Sequence, residues 1–147
     1  MVLEQFITLG LSDFARAQMF TPSTCKKIVF EWDRGTDYAS ITAVSDFTRY
    51  VPFVLLSFYH NGRPVEQGVT LRWHDLYNGG GFYYFICPVS GLSCEKLYFS
   101  EEHGQFIGRV ATGAPYLNKL RTGERRDLMR RPYRWTIRRD HGPAAEV

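Results

Sequence analysis

The central part of the chain alternates apolar and polar residues in a way that is typical of β-strands joined by tight turns. Ile28, Phe30 and Trp32 recur with a period of two, which places them on one face of a strand. A turn is predicted at 33–36. A second strand is then predicted from Tyr38 to Ser45, where residues that favour strands are common.

The clearest hairpin signal lies around Asn61 and Gly62. A nearly continuous apolar run from Phe53 to Tyr59 precedes this pair, and a second alternating segment follows it. Asn-Gly between two strands indicates a two-residue turn, because both residues tolerate positive φ. The buried face of the second strand is predicted to carry Val65, Gln67, Val69, Leu71 and Trp73.

Further short strands are predicted up to residue 110, separated by glycine- and proline-containing turns. Residues 78–81, with the sequence Asn-Gly-Gly-Gly, are expected to form a flexible break. Residues 88–91 are expected to form a turn. The predicted strands are Phe82 to Cys87, Cys94 to Phe99 and Gln105 to Val110.

Helices are predicted only towards the two ends of the chain. Near the start, Ser12 is a candidate N-cap for a short helix through Met19, and Pro22 prevents its continuation. Near the end, a helix is predicted from Tyr116 to about Arg131.

An extended segment is predicted after that helix, in which Tyr133, Trp135 and Ile137 alternate with arginines. The pattern as a whole predicts an α+β, β-rich fold of consecutive antiparallel hairpins with a short N-terminal helix and a basic C-terminal helix. We expect a single domain over 1–147. Its parts are an N-terminal helical segment (1–24), an antiparallel β core (25–112), and a basic helix with an extended arm (116–139).

Composition narrows the class of protein. Apolar residues make up 44% and charged residues 22%, which are ordinary globular values, whereas aromatic residues are abundant at 16%. No apolar run approaches the length needed to span a bilayer, and the N-terminus lacks the pattern of a signal peptide. Three cysteines, an odd number, argue against a disulfide framework and favour a reducing compartment, so the sequence predicts a cytoplasmic protein.

Positive charge is concentrated near the C-terminus. Residues 117–139 carry a net charge of +7, and the rest of the chain carries −4. Arginine suits bidentate contact with phosphate, and interleaved aromatic rings suit stacking on bases. The candidate nucleic-acid-binding residues are Lys119, Arg121, Arg125, Arg126, Arg130, Arg131, Tyr133, Arg134, Trp135, Arg138 and Arg139.

Candidate metal ligands are few. Cys87, Cys94 and His103 have suitable chemistry, but the spacing of the two cysteines is not the C-x₂₋₄-C of a structural zinc knuckle. Buried thiols that pack as small apolar groups are the simpler interpretation.

A further set of residues extends through the predicted β core and just beyond it. Its members are Trp32, Ser40, Ile41, Val65, Glu66, Gln67, Leu71, Phe85, Cys87, Pro88, Lys96, Leu97, Tyr98, Phe106, Arg109, Gly113 and Tyr116. Through these residues, the region of about 28–116 resembles a zinc ribbon found in small, mostly uncharacterised proteins of bacteria and mobile elements. The zinc positions of that ribbon correspond to Cys87, Ser90, Gly108 and Ala111. Three of the four thiolates are therefore replaced, so the resemblance implies a ribbon held by aromatic packing without a metal.

No catalytic residue is predicted. A thiol–imidazole pair could be drawn from Cys87 or Cys94 with His74 or His103, but no local signature supports one. The glycines at 79–81 lack the Lys and Ser/Thr of a phosphate-binding loop.

The sequence therefore predicts a non-enzymatic, cofactor-free nucleic-acid-binding protein of a phage or mobile element, binding DNA or RNA. The alternatives are an inhibitor or accessory factor that docks on a host protein complex, and a structural component of a particle. A solvated basic surface with no partner is the remaining interpretation.

Overall fold

The computed structural model describes residues 7–34, 37–113 and 136–139. In these ranges the chain is mainly β-strand, and neighbouring strands pair antiparallel, which confirms the predicted β-rich character. The predicted helix from 116 to about 131 lies outside the described residues. The strands are β1 (Thr8–Gly10), β2 (Cys25–Arg34), β3 (Asp37–Asp46), β4 (Phe53–His60), β5 (Arg63–Asp75), β6 (Gly81–Ile86), β7 (Ser93–Cys94), β8 (Lys96–Ser100), β9 (Gln105–Ile107) and β10 (Thr136–Arg139); the helices are α1 (Leu11–Arg16) and α2 (Arg109–Thr112).

The strands form two sheets. The larger has seven strands in the order β10-β2-β3-β4-β5-β6-β7, and the smaller has three in the order β1-β8-β9. From β2 to β6, each strand pairs with the next one along the chain, so that this part of the sheet is a series of hairpins. The predicted consecutive hairpins are thereby confirmed.

The hairpin between β4 and β5 turns at Asn61 and Gly62, as predicted. His60 pairs with Arg63, which leaves two residues in the loop. Asn61 has φ 53° and Gly62 has φ 74°, the positive values that a type I′ turn requires. This turn matches the right-handed twist of the strands that it connects.

The core is formed by one face of the seven-stranded sheet together with α1 and residues of the three-stranded sheet. Phe14 of α1 is fully buried. Its ring lies 5.2 Å from that of Phe30 on β2, 5.5 Å from that of Phe85 on β6 and 5.6 Å from that of Phe20. The abundant aromatic residues thus fill the core through edge-to-face and stacked contacts.

The N-terminal segment differs from the prediction in two ways. Residues 8–10 form β1, which pairs with β8, so the smaller sheet includes a strand where only a helix was expected. The helix begins after Gly10, not at Ser12, and ends at Arg16. The carboxylate of Asp13 accepts the Gly10 N–H at 2.8 Å, so Asp13, and not Ser12, provides this side-chain hydrogen bond at the helix start.

Three predictions about the later strands were also inexact. The strand beginning at Gln105 ends at Ile107, because the chain turns into α2 at Gly108. The segment 94–99 is divided at residue 95 between the two sheets. The expected flexible break at 78–81 is a closed turn, in which the Leu76 N–H donates to the Gly80 carbonyl at 2.7 Å.

Among the described residues, no helix has both the length and the apolar character of a membrane-spanning segment.

Candidate functional site

Two of the predicted nucleic-acid-binding residues, Arg138 and Arg139, belong to the part of the chain that the structure describes. Lys119, Arg121, Arg125, Arg126, Arg130, Arg131, Tyr133, Arg134 and Trp135 lie outside the described residues. Arg138 and Arg139 belong to β10, where they pair with Val29 and Ile28 of β2. The end of the basic segment is therefore the edge strand of the seven-stranded sheet.

A second group of cationic and aromatic residues lies on the face of β5 and β6 that is turned away from the core. Arg72 and His74 are exposed on β5, where they alternate with residues of the core-facing side. In the register of the two strands, Arg72 is opposite Tyr84 and His74 is opposite Phe82. We call these four residues the aromatic face.

The rings of the aromatic face contact one another. The centroid of the His74 ring is 5.7 Å from that of Phe82 and 5.4 Å from that of Tyr84, and the Phe82 and Tyr84 centroids are 4.5 Å apart. Phe82 and Tyr84 are half-buried. Their positions are thus set by packing, while part of each side chain stays accessible.

The same side of the sheet carries a further cation–aromatic pair on β4. Phe53 pairs with exposed Thr70, and the guanidinium of Arg49 lies 6.0 Å from the centre of the Phe53 ring. The carboxylate of Asp46 accepts a hydrogen bond from Arg49 Nε at 3.3 Å. Hydrogen bonds from the Thr48 hydroxyl and N–H lower the pKa of Asp46, so this acidic group is ionised at neutral pH.

The alternation predicted for β5, with Leu71 and Trp73 on the buried face, leaves Arg72 and His74 on the opposite face, but it does not connect them with Phe82 and Tyr84. The sequence does place Phe82 and Tyr84 on one face of β6, because they alternate with Tyr83 and Phe85. The register that joins the two strands depends on the turn at 76–80, which the glycine-rich sequence did not reveal.

The two cysteines after β6 lie close together. Cys87 Sγ accepts the backbone N–H of Ser90 at 3.4 Å and that of Gly108 at 3.2 Å. The Cys94 thiol donates to the Phe85 carbonyl at 3.6 Å. A Cβ atom on Gly108 would lie 3.3 Å from Cys94 Sγ and 3.5 Å from Cys87 Sγ, so both sulfur atoms approach the same point.

Their surroundings affect the two thiols in opposite directions. Burial acts to raise the pKa of Cys87, but hydrogen bonds from Ser90 and Gly108 outweigh it and lower that pKa below 9.0. Burial, together with the charge of Cys87, raises the pKa of Cys94 to about 11. Cys87 is therefore the thiol that ionises first.

His103, the third candidate ligand, is engaged elsewhere. Its Nδ1 lies 2.9 Å from Ser100 Oγ, and Ser100 Oγ also accepts the His103 N–H at 3.3 Å, an arrangement that closes the turn between β8 and β9. In the described ranges, no three side chains of His, Cys, Asp or Glu converge as a metal site would require.

Comparisons with family models, curated proteins and solved structures gave no match to this chain.

Proposed function

We propose that the protein binds single-stranded nucleic acid without catalysing a reaction on it. The observation that carries the proposal is the aromatic face, in which Arg72, His74, Phe82 and Tyr84 share one exposed side of two paired strands. Bases stack on aromatic rings irrespective of sequence, and arginine contributes both phosphate contact and cation–π attraction.

The packing of the rings supports stacking as the mode of binding. Phe82 and Tyr84 are held by each other and by His74, so ordering them on contact with a base costs little side-chain entropy. A base stacked on them would bury ring surface that is now partly exposed. Paired bases in a duplex do not offer their faces in this way, which favours single strands.

The charge distribution supports phosphate contact by the C-terminal segment. Residues 117–139 carry +7, and eight of their nine cationic residues are arginine. Since β10 pairs with β2, this segment ends on the same sheet that carries the aromatic face. A single strand of nucleic acid lying across the sheet would then extend from the aromatic face on β5 and β6 towards β10, which contains Arg138 and Arg139.

The relationship to degenerate zinc ribbons, and with it an origin in a phage or mobile element, is also a proposal. Three of the four positions at which the ribbon has zinc ligands, namely Cys87, Ser90 and Gly108, lie close to one another, which supports the proposal. The backbone N–H groups of Ser90 and Gly108 both donate to Cys87 Sγ. The arrangement resembles two knuckles that face each other, with hydrogen bonds to sulfur between them.

Salt-dependent binding tests the proposed function. Affinity for a fluorescent single-stranded oligonucleotide is measured between low and moderate salt for the wild type and for a variant with Arg125, Arg126, Arg130 and Arg131 all replaced by Gln. Each lost phosphate contact should reduce the slope of log affinity against log salt by about 0.7 on single strands. Absence of salt-sensitive binding by the wild type at about 50 mM salt would contradict the proposal.

A protein partner is the second candidate, and one observation favours it. The tip of the β5–β6 hairpin exposes Trp73, Leu76 and Tyr77, the last at 105% of its reference area. Exposed aromatic residues at a loop tip suit insertion into a pocket of another protein. This candidate applies if neither the wild type nor the fourfold Arg→Gln variant binds DNA or RNA. The wild type should then capture a host protein complex from a lysate, and substitution of Leu76 and Tyr77 by Ser should abolish that capture.

A further inference from the structure

We propose that Cys87 and Cys94 form a thiol–disulfide exchange site, which reacts with small anionic disulfides that enter the adjacent cleft. Cys87 is the attacking thiol and Cys94 is the resolving thiol. This inference does not rest on nucleic-acid binding, because its reactive groups are two thiols outside the aromatic face, although Tyr84 of that face also lines the cleft.

The backbone brings the two sulfur atoms together. Cys94 pairs with Phe85 on β6, and Cys87 follows that strand by one residue, with its N–H bonded to the Leu92 carbonyl at 2.9 Å. Gly108 approaches both cysteines, and it has no Cβ to separate them. Substitution of Gly108 by a larger residue would place a side chain between the two sulfurs.

Cys87 has the better environment for a thiolate. Two backbone N–H groups, from Ser90 and Gly108, are directed at its sulfur. Such donors stabilise a negative sulfur, and together with the Ser90 side chain they lower the pKa of Cys87 against the opposing effect of burial. The Cys94 thiol instead donates to the Phe85 carbonyl, which favours the neutral form of the thiol.

The cleft beside the cysteines suits an anionic reagent. It has a volume of about 450 Å³, and both cysteines belong to its wall. Lys96 and Arg109 also line it, opposed by the single carboxylate of Glu95. Cys87 is only 2% exposed, so a reagent must enter the cleft to reach its sulfur, and small disulfides are favoured over bulky ones.

The reaction proceeds in two exchanges. The Cys87 thiolate attacks one sulfur of the reagent R–S–S–R, forming Cys87–S–S–R and releasing RS⁻, which takes a proton from water. Cys94 then loses its proton to solvent and attacks the Cys87 sulfur, releasing a second RS⁻. Overall, two protein thiols are oxidised to one disulfide, and the reagent is reduced to two thiols.

The test uses the full chain with Cys25 replaced by Ser, because Cys25 is an exposed thiol that would react independently. The protein is incubated with glutathione disulfide at neutral pH and followed by intact mass. The Cys25→Ser protein should lose the mass of two hydrogens. Addition of Cys94→Ser should instead trap one glutathionyl group, whereas addition of Cys87→Ser should leave the protein unmodified.

Two further measurements distinguish reaction at the folded cleft from reaction of cysteines that unfolding exposes. Replacement of Lys96 and Arg109 by Gln should slow the reaction with glutathione disulfide severalfold but not that with the neutral bis(2-hydroxyethyl) disulfide. The rate should also exceed the rate of global unfolding measured on the same protein. The proposal is overturned if Cys94 is the residue that is modified first, if no disulfide forms in the Cys25→Ser protein, or if reaction occurs only as fast as unfolding.

Discussion

The side-chain amide of Gln67 pairs with the backbone of Phe106 through two hydrogen bonds. Its Nε2 donates to the Phe106 carbonyl at 2.6 Å, and its Oε1 accepts the Phe106 N–H at 2.8 Å. Gln67 lies on β5 of the seven-stranded sheet, and Phe106 lies on β9 of the three-stranded sheet. β9 pairs with β8 along one edge, and at Phe106 the Gln67 amide takes the place of a strand partner along the other edge. The amide is buried, so it satisfies backbone groups that water does not reach, and it joins the two sheets.

Replacement of Gln67 by Leu should lower the free energy of unfolding by about 2–4 kcal/mol, because two buried backbone groups of Phe106 would lose their partners. Urea denaturation monitored by circular dichroism measures the change. Glu66→Gln, at the exposed neighbouring position, is the control and should change stability by less than about 0.5 kcal/mol. If Gln67→Leu is as stable as this control, the two hydrogen bonds do not contribute to the contact between the sheets.

Gln67 also shows what the sequence could predict and what it could not. Its place on the buried face of β5 followed from the alternation of Val65, Gln67 and Val69. Its partner did not, because Phe106 is 39 residues away and nothing local marks the pairing. The strand β1 was missed for the same reason, since its three residues pair with β8 near residue 97.

Burial at the ends of strands was equally hard to predict. Trp73 continues the alternation of β5, but it is 48% exposed, because β5 extends towards its hairpin beyond the packed core. Its indole N–H instead donates to Asp75 at 2.6 Å, and its ring packs against Tyr83. The aromatic face was not predicted either, because it depends on the register between β5 and β6. The turns predicted at Asn61-Gly62 and at 88–91 are both present, the second closed by the Gly91 N–H, which donates to the Cys87 carbonyl at 2.9 Å. Only Asn61 and Gly62 specified the turn type as well.

Gly62→Val should destabilise the protein by about 1–3 kcal/mol, because valine is strained at φ 74°. Gly68→Ala is the matched control on β5. A Cβ at Gly68 meets no atom within 4 Å, and its φ is not positive, so the free energy of unfolding should change little. Equal melting temperatures for the two variants would contradict the type I′ turn.

Stability at alkaline pH should depend on Cys94. Its pKa is about 11 in the folded protein against 9.0 ordinarily, so the unfolded chain ionises first as pH rises. The contribution of the neutral thiol is therefore complete below pH 9 and is lost as pH rises towards 11. The difference in free energy of unfolding between wild type and Cys94→Ser should shrink over this interval, and a constant difference would contradict the raised pKa.

Zinc content tests the proposed relationship to zinc ribbons. The purified wild type should hold no stoichiometric zinc, because only Cys87 occupies a ligand position of that pattern. Replacement of Ser90, Gly108 and Ala111 by Cys should create a site that takes about one zinc per chain. Elemental analysis measures both, and the same variant with Cys87→Ser is the control. A folded triple variant without zinc, or a zinc-loaded wild type, would contradict the relationship.

Tyr84 on the aromatic face should contribute to binding of single strands. Tyr84→Ala should weaken the affinity for a single-stranded oligonucleotide by about 1–3 kcal/mol, because a stacked base loses its ring partner. The effect on duplex should be much smaller, since paired bases cannot reach the ring. Tyr84→Phe retains the ring and should bind as the wild type does, which separates stacking from hydrogen bonding by the hydroxyl.

Tyr77→Ala provides the matched control for this measurement. Tyr77 is a fully exposed tyrosine at the tip of the same hairpin, away from the paired positions of Phe82 and His74. Its removal should leave the affinity unchanged if the face, and not merely an exposed ring, binds the bases. Thermal melting of both variants checks that the sheet remains folded, because Tyr84 packs against His74 and Phe82. Equal losses of affinity in Tyr84→Ala and Tyr77→Ala would mean that the strand is bound by non-specific contact with exposed rings.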